Sequence, residues 1–299
     1  MLRILLFAAT NIAIMVLLSV VFKLLGLDGI LQQNGVDLNL SSLLVYSAVI
    51  GFSGSIISLL LSKRMAKSSM RVKVITQPSD SYEEWMMQTV SRQARQADIS
   101  MPEVGIFDHP SPNAFATGWN KNKALVAIST GLMRSMPKEE VEAVLAHEIS
   151  HVANGDMVTL TLVQGVVNTF VVFLSRIIAH VVDRVVFKVQ RGHGPAFFIV
   201  SMVAQVALGF LATVVVRWFS RWREYRADDG GARLSSRPKM IAALKRLKQG
   251  HKTEPMPDEM AAFAINAGAV QKLFATHPPL DERIKALEAS APFSGSGRQ

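Results

Sequence analysis

The chain has 299 residues, of which 49% are hydrophobic and 18% charged, with a mean hydropathy of +0.27. That balance is too apolar for an ordinary soluble enzyme and implies membrane segments. The formal charge of +9 sits beside apolar runs instead of forming an aromatic-laced basic stripe, which excludes a nucleic-acid surface. Cysteine is absent, which excludes disulfides and thiolates, so a metal site must be built from His, Asp and Glu.

Ile4 to Phe22 is apolar apart from Thr10, Asn11 and Ser19, and at the helical rise it reaches roughly 28 Å, enough to cross a bilayer. It is long for a signal peptide and lacks a small-residue cleavage pattern, so it reads as a retained anchor. Ser41 to Leu61 is a second apolar run, with Gly51, Ser53, Gly54, Ser55 and Ser58 suited to close helix packing in lipid. Lys63, Arg64, Lys67, Arg71 and Lys73 follow with no acid among them, which places this flank in the cytoplasm by the positive-inside rule.

Val74 to Asp156 is the first soluble block. It holds a helical pattern over Ser81 to Ala97. Short strands are expected at Glu103 to Asp108, Asn113 to Gly118 and Ala124 to Ser129. Pro137 to Asn154 then reads as a helix, with Glu139 and Glu140 at its acid-favouring start and Asn154-Gly155 as a stop. Within it stands His147-Glu148-Ile149-Ser150-His151. Histidines four apart lie one turn above the other and can share a metal ion, while Glu148 projects toward an activated water. Asp156, after Gly155, is expected to cap the next helix.

Met157 to Leu174 and Ala196 to Val216 are the third and fourth apolar runs. The stretch between them, Ser175 to Pro195, carries four bases (Arg176, Arg184, Lys188, Arg191) against Asp183. Beyond Val216 the chain turns polar and helical. Glu224 and Asp228 share a helical face there, as a ligand and an acid holding a liganding imidazole would. The competing reading pairs both acids with Arg221, Arg223 and Arg226.

Four motifs in order carry a resemblance: Ser111-Pro-Asn-Ala-Phe-Ala-Thr-Gly118, His147 to Asp156, Glu224-Tyr-Arg-Ala-Asp228 and Thr276-His-Pro-Pro-Leu-Asp-Glu-Arg283. Together they resemble the HtpX family, bacterial inner-membrane zinc metalloproteases of stress quality control, related to the CAAX prenyl endopeptidases. The resemblance implies one Zn2+ per chain on His147, His151 and Glu224, with Glu148 as base and Asp228 behind the ligands. It implies His277 as oxyanion stabiliser and Asn113 as holder of the substrate backbone. Asn113 reads equally as a turn residue, and His277 as a loop histidine. His109, His180, His193 and His251 are assigned no ligand role.

The expected fold is an α-helical membrane protein with a small α+β zincin-like domain and about four transmembrane helices. Its parts are an N-terminal hairpin (1–61), the first protease part (62–156), a second hairpin (157–216), the second protease part (217–293) and a disordered tail (294–299). The resemblance implies membrane-protein substrates, the bilayer and other quality-control proteases as partners, with the active site on the cytoplasmic side of the inner membrane. Two alternatives stand beside it. An intramembrane metalloprotease would bury its motif in an apolar span, but Lys138, Glu139, Glu140 and Glu142 crowd this one, and Leu27-Asp28-Gly29 precedes the motif instead of following it. A non-catalytic membrane scaffold would carry no zinc.

Overall fold

The computed structural model describes residues 39–190, 192–250 and 277–290. The first apolar run, His251 and the 294–299 tail lie outside them. The described residues are mostly helical, with one small sheet, as expected from the periodicities. Among the described residues, three helices are long and apolar enough to cross a membrane: α1 (Leu40–Ser69), the helix over Asp156–Val186, and α6 (Pro195–Leu234). Two compact units emerge, one from the described residues up to Ser58 with Leu160–Val216, the other from Leu59–Thr159 with the described residues from Arg217 onward.

In the first unit, α1 meets α5 (Asp156–Val181) along a stripe of small residues at intervals of four, Ser47, Gly51 and Ser55, all buried. A Cβ on Gly51 would stand 2.5 Å from the backbone nitrogen of Thr169, so only glycine permits this approach. Asn168 Nδ2 donates to Ser55 Oγ at 3.3 Å, and the Arg176 guanidinium lies 4.8 Å from the Tyr46 ring centre. Ser53, Gly54 and Ser58 are exposed, so three of the five small residues singled out in this run face outward. The connector after the third run is shorter than expected. Helix α5 continues through Ile177, Ile178 and Val181 into a π-helical turn at Val182–Val186, because apolar residues keep recurring at helical spacing there.

The second unit is built on a four-stranded sheet in the order β1-β2-β4-β3, with β1 at Lys73–Val74, β2 at Glu103–Phe107, β3 at Ala114–Thr117 and β4 at Leu125–Ser129. Strands β2 and β4 run parallel, while β1 and β3 pair antiparallel at the edges. Every residue of β4 is buried, as its central place requires. Val104, Val126 and Ile128 pack against Met86 and Val90 of α2 (Ser81–Gln96) and Leu145 and Ile149 of α4 (Lys138–Asn154). Helix α2 starts at Asp80, whose carboxylate accepts from Tyr82 and Glu83 nitrogens at 2.8 Å, while Glu83 reaches back to Ser79. The basic flank is partly structural, since Lys63 and Lys67 both pair with Glu103.

Short helix α3 (Thr130–Ser135) leads from β4 to α4, and α7 (Arg237–Gly250) and α8 (Leu280–Ala289) pack beyond it. Acids of α4 tie it to its neighbours. Arg246 of α7 donates to Glu140 at 2.9 and 3.2 Å, and Glu142 pairs with Arg92 and Lys239.

The Gly51 contact yields a paired test. Gly51→Val should lose about 1–3 kcal/mol through overpacking, lowering Tm by roughly 3–10 °C in detergent, as followed by circular dichroism. Gly54→Val, whose Cβ would meet nothing within 4 Å, should leave Tm unchanged. Equal Tm values for the two variants would contradict the packing described.

Candidate metal centre

Helix α4 has Pro137 at its N-terminal boundary and stops at Gly155, which takes the left-handed conformation at φ 67°. Its i, i+4 histidines stand with ring centroids 4.7 Å apart and planes nearly perpendicular. The two Nε2 atoms face each other at 3.1 Å. Glu224 of α6 closes the third side, with carboxylate oxygens 3.6 Å from His147 Nε2 and 3.4 Å from His151 Nε2. One ligand atom from each of these residues lies within 4.8 Å of the others, in the one such grouping of three among the described residues.

Both outer nitrogens are engaged. His151 Nδ1 lies 2.6 Å from Asp156 Oδ2. His147 Nδ1 is 3.0 Å from Asp228 Oδ1, close enough to pair though not aligned as a straight hydrogen bond. With a carboxylate beside each Nδ1, both Nε2 atoms are turned inward with an oxygen of Glu224. Two nitrogens and a carboxylate oxygen converging on one point fit Zn2+ with a position left open.

The charge balance points the same way. Asp156, Glu224 and Asp228 are each 2% exposed or less. Burial disfavours charge on His147, but Asp228 and Glu224 overcome it and raise the pKa. For His151 burial is likewise outweighed, by Asp156, Glu224 and the charge of Glu148, and its pKa is pushed up to about 10. That excess negative charge favours bound protons or a cation at this point. Arg283 offsets part of it: its guanidinium donates to both oxygens of Asp228, at 2.7 and 2.5 Å, and lies 3.4 Å from Glu224.

Helix α6 reaches α4 this closely because of Gly230-Gly231. A Cβ on Gly231 would stand 3.0 and 3.1 Å from the backbone N and Cα of His147, and one on Gly230 would lie 2.1 Å from Ser150 Oγ. The two glycines set the distance across which Glu224 and Asp228 meet the histidines.

The remaining expected residues fall around one cleft of about 580 Å³, lined by Asn113, His147, Glu148, His277 and apolar residues of α7. Asn113 is exposed at the start of edge strand β3. Its backbone is tied to Ser129, whose Oγ accepts from the Asn113 nitrogen at 2.9 Å. His277 is 59% exposed and places Nδ1 2.6 Å from Glu224 Oε2. His109 turns inward on its own loop, accepting from the Ser111 nitrogen, and His180 and His193 face each other in the other unit.

One expectation is corrected. Asp156 does not cap α5. It is the first residue of that helix, the Gly155 carbonyl takes the first helical bond from Thr159, and the Asp156 carboxylate is turned back onto His151. The left-handed Gly155 reverses the chain so that this is sterically direct. Glu224 and Asp228 are charge-paired by distant Arg283, while Arg223, one of the expected arginines, lies 3.9 Å from Asp156. Asp156, Arg283 and the glycine pair were missed as parts of the site. A helix-stopping glycine four residues past His151, with an acid directly behind it, was the signal for Asp156.

Asp156→Ala should weaken zinc binding by roughly 10- to 100-fold in chelator competition, because His151 loses the group that fixes its tautomer. Affinity equal to wild type would show that the His151–Asp156 contact does not serve the metal.

Residues 80–291 match Peptidase family M48. Protease HtpX of Pseudoalteromonas atlantica is 71% identical over 288 residues, covering 96% of this chain and 99% of its own. Protease HtpX of Thioalkalivibrio sulfidiphilus is 61% identical over 290 residues, covering 96% and 98%. Among solved structures, S. mikatae Ste24p aligns with a TM-score of 0.60 at 17% identity over 91% of this chain and 66% of its own, a likeness of fold. The chain belongs to the HtpX proteases of Peptidase family M48.

Proposed function

We propose that this membrane protease is a zinc endopeptidase working on the cytoplasmic face of a bacterial inner membrane, where it hydrolyses misfolded or surplus membrane proteins in stress quality control. The observation that carries the chemistry is the convergence of His147 Nε2, His151 Nε2 and the Glu224 carboxylate beside Glu148 at one cleft. Those three residues would hold the metal, whose Lewis acidity, when bound, lowers the pKa of water and polarises a peptide carbonyl.

The chain's own residues supply the rest. Asn113 and edge strand β3 align an extended substrate backbone along the cleft, as an added strand would lie. Glu148 takes a proton from the attacking water and returns it to the leaving amine. His277, with Nδ1 on Glu224, has its other nitrogen available for the developing oxyanion. Asp228 and Asp156 keep the imidazoles in the tautomer that ligation needs.

The stretch around α4 supports this reading over an intramembrane protease. Glu140 and Glu142 of that helix pair with Arg92, Lys239 and Arg246, a charge density foreign to bilayer depth. Substrate class and cellular side rest on the resemblance of the sequence and on the positive flank after the second apolar run.

Glu148→Gln should keep zinc but lose about 4 kcal/mol of transition-state stabilisation, close to a thousandfold in kcat/KM on an unfolded model protein. Retention of most activity would remove Glu148 as the base. Loss of zinc in that variant would leave the chemistry to another test.

The cellular side has its own check. His147 and Glu224 must meet, so the chain between them crosses the membrane twice or not at all. Two crossings put position 190 outside and both ends of the chain in the cytoplasm. With no native cysteine, Gln190→Cys should react with an impermeant thiol reagent on intact cells and Gln299→Cys should not. Protection of position 190 until lysis would contradict the four-span topology.

A further inference from the structure

A second hollow, of about 350 Å³, lies apart from the cleft. One wall is a stripe of α6, Trp218, Arg221, Trp222 and Tyr225, at the spacing of a single helical face. The other wall is Pro278, Pro279 and Glu282, at the start of α8. Trp218 is 64% exposed and Trp222 52%, which is costly for two indoles in water and ordinary at a membrane boundary. The apolar run of α6 ends at Val216, so Trp218 to Trp222 follow it by roughly 3–9 Å along the helix axis. A headgroup layer is roughly 5–8 Å deep on each side of the hydrocarbon. Trp218 and Trp222 therefore follow directly on the apolar run of α6, where indoles beside headgroups are ordinary.

Its chemistry is two-signed. Arg221 contributes a guanidinium suited to phosphate. Opposite it stands Glu282, whose Oε2 accepts from the Tyr225 hydroxyl at 3.2 Å and is thereby fixed in place. The indoles favour a cation as well, and Trp222 already lies under the Arg226 guanidinium at 5.2 Å. An anionic headgroup would meet Glu282 with nothing to offer it. A phosphate with an ammonium two carbons away satisfies both ends.

We propose that this hollow is a binding site for the zwitterionic headgroup of a membrane aminophospholipid, with the phosphate on Arg221 and the primary ammonium between Glu282 and the indoles. The site does not depend on the peptidase reading. Its second wall directly follows His277, so an occupant braces the loop that carries His277 against Glu224.

The test uses the full-length chain, delipidated in detergent and titrated with short-chain phosphatidylethanolamine, short-chain phosphatidylglycerol and free O-phosphoethanolamine. Binding is read from the Tm of the wild type and from tryptophan fluorescence of Trp85→Phe/Trp119→Phe, which leaves only the two indoles of the hollow. Phosphatidylethanolamine should give a saturable response at least tenfold tighter than either other ligand. Arg221→Gln and Glu282→Gln should each weaken it at least tenfold while the Tm without lipid stays within about 2 °C of wild type. No saturable response, or equal binding of phosphatidylglycerol, would overturn the proposal. So would equal binding of free phosphoethanolamine, which would make the lipid irrelevant. An unchanged affinity in Glu282→Gln would remove the ammonium contact and the proposal with it.

Discussion

Two imidazoles held 3.1 Å apart, nitrogen to nitrogen, form the arrangement that the rest of the protease unit supports. Rings so placed keep this geometry only if something else fixes each of them. Here the fixing groups are carboxylates on the outer nitrogens, Asp156 for His151 and Asp228 for His147. Those acids are themselves buried and need compensation, which Arg283 gives to Asp228 through two hydrogen bonds. A charge-assisted chain thus runs from α8 through α6 to α4 and ends in an inward-facing donor set. A bound metal would occupy the point on which that donor set converges.

The backbone follows from that need. Helix α4 supplies both histidines by its own periodicity, and the left-handed Gly155 turns the next residue back toward them. Helix α6 must come unusually near to bring Glu224 and Asp228 within reach, and Gly230-Gly231 removes the side chains that would hold it off. The sheet presses on α4 from another side through Val126, Ile128, Leu145 and Ile149, so the ligand helix has a rigid support. Among the described residues, edge strand β3 has no strand neighbour on one side, and it borders the same cleft as Glu148. Most residues of the proposed site therefore sit on regular elements, while His277 and Asn113 lie in loops.

What was legible in the sequence was what repeats locally. The i, i+4 spacing of His147 with His151, and of Glu224 with Asp228, follows from helical geometry alone, and the Glu103 to Asp108 segment alternates as a strand does. The apolar runs were legible for the same reason, although α5 outlasts the expected span because its apolar spacing continues past Leu174. Contacts across long separations were not legible. Nothing near Asp228 announces Arg283, 55 residues on. The glycine pair of α6 looks like a helix breaker until the opposing backbone is in view, and Asp156 looks like a cap because capping is the commoner use of an acid after a glycine.

Helices α4 and α6 together form one candidate metal centre from two imidazoles and one carboxylate. X-ray absorption at the zinc edge of the purified full-length chain should show one zinc per chain, with two imidazole nitrogens at about 2.0–2.1 Å and light oxygen ligands at about 2.0–2.2 Å. Glu224→Ala should abolish stoichiometric zinc. A Glu224→Ala protein that retains zinc with an unchanged spectrum would contradict it, because the metal would then be held without α6.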